Sequence, residues 1–399
     1  MQQTDILVIG GGIAGTATAC SLAQYGRQVI LLEQGELATE ASGLNAGTLW
    51  AIGWGQVPDL ASTLSMGSLE IFTTLQLDLG YDLEFRQSGS LQAIQTEEEY
   101  TFARQEVQEL LARGHQVELL DGRDARSIEP ALDPRILGCL YYPQGGNANP
   151  VKTVLALASL AQRYGATMLT HHQVTGIAHL DNGSYQVATP TATFRAGTLV
   201  LAAGPWCRSL GAMLGLSIPV YPVRGQMWAT APVPPSIFHS IGALESHLYW
   251  HSHPYSDEQT PLELTHRQSQ RLTRHLYGRQ TRDGEIIIGG DRQLDAPKAP
   301  NQDGIETNRA HALELFPFLQ DFPIARTWAG WMPFTRDLHP LIGQIPRFSN
   351  LHLLTGLSSS GFEKGLMAGK LLAASITHGA AIPILSEADP ARHVSVGPT

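Results

Sequence analysis

Basic clusters, long apolar runs and cysteine are scarce in this chain, and each scarcity removes a class of function. The formal net charge is −10 and no basic cluster offsets it, which argues against nucleic acid as a partner. No apolar run approaches the roughly 18 residues that a membrane span needs. The N-terminus has no charged segment followed by a signal core, and the first strand begins at once. Three cysteines, Cys20, Cys139 and Cys207, are odd in number and lack metal-site spacing. Buried free thiols in a reducing cytoplasm are the expectation, with peripheral membrane association left open. Of 15 histidines, His247, His251 and His253 form the one tight group of three, and no metal is expected there.

What is present is an ordinary globular balance, 43% hydrophobic and 16% charged, in 399 residues, a length that favours two domains. The most informative stretch runs from Asp5 to Gln34. The apolar run Ile6-Leu7-Val8-Ile9 enters Gly10-Gly11-Gly12-Ile13-Ala14-Gly15, a small-residue helix follows, and a second apolar run closes at Glu33. Gly10 permits a sharp exit from the strand, Gly12 lets the backbone approach a pyrophosphate, and Gly15 lets the helix lie close to the sheet. Phosphates would sit on the unpaired amides at the helix N-terminus. Glu33 stands about 20 residues beyond the glycines, where a carboxylate accepts hydrogen bonds from ribose hydroxyls. This spacing predicts a dinucleotide site.

Farther on, Ala41-Ser42-Gly43-Leu44-Asn45-Ala46-Gly47-Thr48 is either a connector or a second phosphate cradle. Leu64, Ile71, Phe72, Leu75 and Leu79 recur as one helix face. Strand-like segments follow at Leu83–Arg86 and Ser90–Ile94. Thr96 with Glu99 forms a capping box, and Asn149-Pro150 starts a helix that Gly165 ends. Leu199 to Gly204 reads as a buried strand, and Asp283-Gly284 as the turn between two strands within Tyr277–Asp291. The stretch from His251 to Arg274 is polar and carries no assignable pattern. A helix is expected around Asn308–Leu315. Gly356-Leu357-Ser358-Ser359-Ser360-Gly361 then joins a strand to a helix from about Glu363 to Thr377, before a tail of fifteen residues that looks loose.

With these residues the chain resembles the D-amino-acid-oxidase-like flavoproteins, which include glycine oxidase, sarcosine oxidase and D-amino acid dehydrogenases. Besides the first glycine motif, the matches are Ser42 with Asn45-Ala46-Gly47, Asn149-Pro150, Val200 through Trp206, Pro222-Val223-Arg224-Gly225-Gln226, and Asp283-Gly284 with Ile288-Gly289-Gly290. Trp328-Ala329-Gly330, Pro333, Thr335, Asp337, Pro340, Ile342-Gly343 and Gly369-Lys370 complete the series. The resemblance implies an α/β fold: a Rossmann-like FAD-binding domain with a second α+β substrate domain on an antiparallel sheet. The FAD domain would comprise roughly residues 1–85, 148–219 and 326–399, and the substrate domain 86–147 and 220–325.

It further implies FAD, with oxidation of a small-molecule amine or amino acid by hydride transfer to the flavin and O2 or another acceptor downstream; a homo-oligomer is compatible. Carried over by position, Gly10, Gly12, Ile13, Ala14 and Gly15 would meet the pyrophosphate, Glu33 and Gln34 the ribose, and Val174 the adenine. Ser42, Asn45, Ala46, Gly47 and Thr48 would meet phosphates and flavin, bordered by Ala203, Gly204, Trp206 and Gly330. Leu357, Ser358, Ser359, Ser360, Gly361, Phe362 and Glu363 would face the pyrimidine edge.

The departures also carry information. Asn45 stands near where a tethering histidine occurs in some members, and no cysteine lies between Thr335 and Pro340, so noncovalent FAD is expected. The carboxylate-binding arginine of glycine oxidase falls at Met332 and a second arginine at Ser359. Tyr277 matches an active-site tyrosine, and Arg279, Arg336 and Arg224 are the candidates to replace the missing cation. The expected substrate is an amino acid or secondary amine other than glycine, held by apolar contacts with Trp331, Met332 and Phe334 or by one of those arginines. A flavin hydroxylase or a redox sensor without turnover are the competing readings.

Overall fold

The computed structural model describes residues 1–252, 265–267, 270–294 and 296–396. Its first sheet has the order Leu341–Gln344, Leu351–Thr355, Thr193–Leu201, Gln2–Ile9, Val29–Leu32, Thr167–Leu169. All neighbours in that order are parallel except the first pair, and Tyr185–Ala188 with Gly176–His179 is appended antiparallel to Thr193–Leu201. These strands are apolar without alternation because both faces are covered. Val8, Leu31, Val200 and Leu354 pack under the helices Ile13–Gln24, Pro150–Arg163 and Gly361–His378. Leu7, Leu32, Leu201 and Leu353 pack on the other face against Tyr185, Phe194 and Leu210.

Small residues set how the helices meet. A Cβ on Gly369 would stand 2.7 Å from the Thr18 amide, and one on Gly365 would stand 2.8 Å from Ile13. The Gly361–His378 helix therefore lies close against Ile13–Gln24.

The second sheet has the order Ile324–Phe334, Tyr221–Thr230, Ile286–Leu294, Tyr277–Gln280, Ser240–Ala243, Ser90–Ile94, Gly138–Tyr142, Glu118–Asp121. It is antiparallel apart from Ser240–Ala243 beside Ser90–Ile94. Helix Gln302–Leu315 covers one face, packing Ile305, Ala312 and Leu315 against Trp228 and Ile288, while Trp228 Nε1 donates to Asn308 Oδ1. The other face turns toward the first sheet.

Several expectations change. The boundary at 326 falls inside the Ile324–Phe334 strand, which belongs to the second sheet throughout. Leu83–Arg86 is not a strand and keeps only the bridge Arg86 to Asn147. Leu79 is 39% exposed because a π-helical segment at Thr74–Asp78 follows the Leu60–Thr73 helix and rotates later residues off its buried face. The later helix starts at Gln302, six positions before Asn308, because the Asn301 side chain accepts from the Gly304 amide. The C-terminal tail is fastened: Leu385 and Ala388 are buried, and Ser395–Val396 pairs with Leu216–Ser217. Within the polar stretch, Glu245–Ser252 closes a helix and His266–Arg267 pairs with Gln270–Arg271; 253–264 and 268–269 lie outside the described residues. His253 lies outside them too, and among the described residues no cluster of ligands suits a metal.

Candidate active site

The strand Gln2–Ile9 ends at Gly10, whose φ of +119° favours glycine. Gly15 approaches the Gly10 carbonyl too closely for any Cβ, and a Cβ on Gly12 would stand 2.8 Å from Ser42 Oγ. The turn is held from below by Glu33, whose two oxygens accept the amides of Gly11 at 2.6 Å and Gly35 at 2.9 Å. Each oxygen retains a lone pair for a further donor, such as a ribose hydroxyl. Ser42 Oγ accepts the Ile13 amide at 2.9 Å, joining the 41–48 loop to the same turn. Asn45 shapes that loop from within: its Nδ2 donates to the Ala41 and Ser42 carbonyls and its Oδ1 accepts the Gly47 amide.

One cavity of about 540 Å³ begins at this turn and runs between the two sheets. Of the expected cofactor set, Gly10, Gly12, Ile13, Ala14, Glu33, Gln34, Ser42, Asn45, Thr48, Val174, Ala203, Gly204, Trp206 and every residue from Leu357 to Glu363 border it. Gly15, Ala46, Gly47 and Gly330 do not; they support the wall behind it, Gly330 against Leu44 and Gly47 against Ala148. The helices Ile13–Gln24 and Gly361–His378 both present their N-termini to the cavity, so two sets of amides and two positive dipole ends converge there. Glu363, in the first turn of the second helix, is buried and accepts from the Ala51 amide and Ser65 Oγ.

The far end is a chamber bordered by Trp50, Gln92, Ser246, His247, His275, Tyr277, Arg292, Trp331 and Met332. Tyr277 donates from its hydroxyl to Met227 Sδ at 3.2 Å, and burial raises its pKa, so it stays protonated at neutral pH. His275 shares a 2.8 Å hydrogen bond with Ser246 Oγ; burial first, then the charges of Arg292 and His311, push its pKa well below the usual imidazole range.

The expected arginines are placed elsewhere. Arg279 shares the strand with Tyr277 but does not border the cavity; its Nε donates to the Ala46 carbonyl, which makes it a prop for the loop. Arg336 is exposed and outside the cavity. Arg224 is buried on the opposite side, donating to the Ala299 carbonyl and Gln293 Oε1. The arginine that borders the chamber is Arg292, which strand alternation does not single out; the paired glycines before it, a sign of a bulge, are the usable signal. Phe334 is fully buried and lies outside the lining, while Trp331 and Met332 belong to it.

A glycine turn and carboxylate at a helix N-terminus, a second helix N-terminus beside it, and a continuous cavity ending between sheets fit a flavin dinucleotide and define an FAD-dependent oxidoreductase. The chain belongs to the DAO family of FAD dependent oxidoreductases, whose family model matches residues 5–375. It is 27% identical over 385 residues to glycine oxidase of Geobacillus kaustophilus (strain HTA426), covering 93% of this chain and 92% of that one. It is 28% identical over 394 residues to the beta chain of sarcosine oxidase of Arthrobacter sp, covering 94% of this chain and 88% of that one. The solved structure of L-proline dehydrogenase from P. horikoshii superposes with a TM-score of 0.82 at 25% identity, over 98% of both chains. The protein is thus an FAD-dependent oxidoreductase. Among the described residues, no single helix is long and apolar enough to cross a membrane.

Proposed function

We propose that the protein oxidises an amine or amino acid in the chamber between the two sheets. Bound FAD would supply the redox chemistry, a two-electron oxidation of the substrate α-carbon by hydride acceptance, with the imine product lost to hydrolysis and O2 or another acceptor as the electron sink. The observation that carries this reading is the continuity of one cavity from the Gly10–Gly12 turn to Tyr277 and Met332.

The chain's own residues would act by binding and exclusion. Ile13, Ala14 and Ser42 hold the pyrophosphate end, Glu33 takes ribose hydroxyls, and the Leu357–Glu363 segment presents amides where negative charge accumulates on reduction. Trp331 and Met332 cover the reacting carbon from water, and the Tyr277 hydroxyl borders the same cavity from the same sheet. No base is required if the amine binds unprotonated. A panel of primary and secondary amines and amino acids, read out by peroxide formation and by dye reduction, tests the reading. Turnover of an amino acid other than glycine is expected, and reduction only by a nicotinamide would contradict it.

A further inference from the structure

Pairing across the second sheet sets one row of residues side by side: Gln92 opposite Gly242, Gly242 opposite Tyr277, and Tyr277 opposite Gly289. Residues in one such row share a face of the sheet. Gln92 and Tyr277 therefore both border the chamber, two strand spacings or about 10 Å apart. Gly242 between them has no side chain, and the Trp50 indole occupies that gap: a Cβ on Gly242 would stand 2.7 Å from Trp50 Cη2. Trp50 follows the strand Thr48–Leu49 and so reaches this row from outside the sheet.

The patch is held from behind by Tyr142, which is 4% exposed. Its hydroxyl donates to Gln92 Oε1 at 3.1 Å, and its ring meets the Trp50 ring edge-on with centroids 6.1 Å apart. Burial raises the Tyr142 pKa, so the hydroxyl keeps its proton and remains a donor at neutral pH. A donor at that point takes the carbonyl end of the Gln92 amide and leaves the NH2 end for another partner. Among the described residues no acceptor meets Gln92 Nε2, and Gln92 borders the chamber. One buried tyrosine thus orients both an indole and an amide donor.

We propose that Gln92 determines specificity: its Nε2 donates to an uncharged carbonyl oxygen on the substituent of the substrate, which lies across Trp50. The substrate class is then amines whose substituent carries a carboxamide or ketone, in preference to amines with a hydrocarbon substituent of the same shape. This rests on the oxidase reading above. A partly desolvated amide donor gains an acceptor from the carbonyl and is left unpaired by the hydrocarbon, and that difference is what a pocket of this kind discriminates by. Trp50 supplies the flat apolar surface between the two polar ends of the row, Gln92 and Tyr277.

The test uses the FAD-loaded protein and two readouts. The first is binding of benzamide, a carbonyl compound that carries no oxidisable amine, followed by titration calorimetry. The second is anaerobic flavin bleaching within two pairs of equal shape, asparagine against leucine and β-alaninamide against isopentylamine. Wild type should bind benzamide and favour the amide member of a pair. Gln92→Leu should weaken benzamide binding and erase the preference, each by about 3- to 10-fold, with FAD content unchanged. Tyr142→Phe keeps the packed ring but releases the Gln92 amide; it should lose part of the preference and guards against misfolding of the first variant. A wild type that favours neither amide, or a preference and benzamide affinity that persist in both variants, would overturn the proposal. Benzamide binding that needs Gln92 while no amine bleaches the flavin would sustain the subsite and defeat the oxidase reading instead.

Discussion

The indole Nε1 of Trp328 donates a 2.8 Å hydrogen bond to the carbonyl of Leu44, linking residues 284 positions apart. Arg279 Nε does the same for the carbonyl of Ala46. The second sheet thus clasps the loop that also reaches the Gly10–Gly12 turn through Ser42, and one side of Trp328 is covered by Arg326 at 4.2 Å.

That clasp predicts a cofactor phenotype for residues outside the cavity. Trp328→Phe and Arg279→Met each remove one donor from a loop carbonyl, a change of roughly 1–2 kcal/mol. FAD dissociation constants should rise about 5- to 30-fold, measured by fluorescence titration of the apoprotein, with little change in substrate KM once FAD is saturating. A selective KM effect with unchanged FAD affinity would return Arg279 to the substrate site.

Glu33 fastens the turn and, on the proposed reading, takes the ribose hydroxyls. Glu33→Gln keeps an acceptor and should weaken FAD binding modestly, whereas Glu33→Arg inserts a cation against the Gly11 and Gly35 amides and should weaken it strongly. Acid precipitation should release intact FAD to the supernatant, because Asn45 offers no covalent linkage chemistry. Yellow colour retained in the pellet would contradict noncovalent binding.

How much of this is legible in the sequence depends on how local the governing interaction is. The strand, turn and helix of Ile6 to Gly15 are encoded within ten residues, and Thr96 with Glu99 and Asn149 cap their helices as the side-chain spacing requires, at 3.2 and 3.1 Å. Leu79 departs from its expected face because a π-helical segment changes the helix period without an obvious sequence mark. Arg292 escapes a reading of the sequence because its face depends on pairing between Gln226 and Asp291, which lie far apart in the chain. Arg279 sits on the expected strand but in another role, since its partner, the Ala46 carbonyl, comes from outside that sheet. The tail looks loose in sequence because the partners of Leu385, and Asp337 as the partner of Arg392 and His393, are brought to it only by the fold.

Tyr277 should act on substrate and not on cofactor. Its hydroxyl faces the weak acceptor Met227 Sδ, which leaves it free to turn toward a bound ligand. Tyr277→Phe should change kcat or KM by about 2- to 10-fold, the equivalent of roughly 0.5–1.5 kcal/mol, with FAD content preserved. Loss of flavin without a kinetic effect would show a packing role.

Stability should fall on mild acidification. His352 is buried in the strand Leu351–Thr355, and burial lowers its pKa from 6.5 to about 4. Because the folded value lies below the unfolded one, the unfolded chain binds the proton first, so stability is full above pH 6.5 and declines as pH falls toward 4. The limiting loss is about 3 kcal/mol at roughly 1.36 kcal/mol per pH unit. His275 shifts in the same direction and adds to the slope. Denaturant unfolding between about pH 7 and 5 should show this decline, and His352→Gln should flatten it; an equal slope in the variant would remove His352 from the account.

The most direct measurement is anaerobic mixing of the FAD-loaded protein with an amino acid panel in a stopped-flow spectrometer. The account predicts bleaching of the oxidised flavin bands by at least one amino acid with no nicotinamide present, in a single-turnover phase that saturates with substrate. Flavin that stays oxidised against every amine and amino acid, yet bleaches on adding NADH or NADPH, would contradict it.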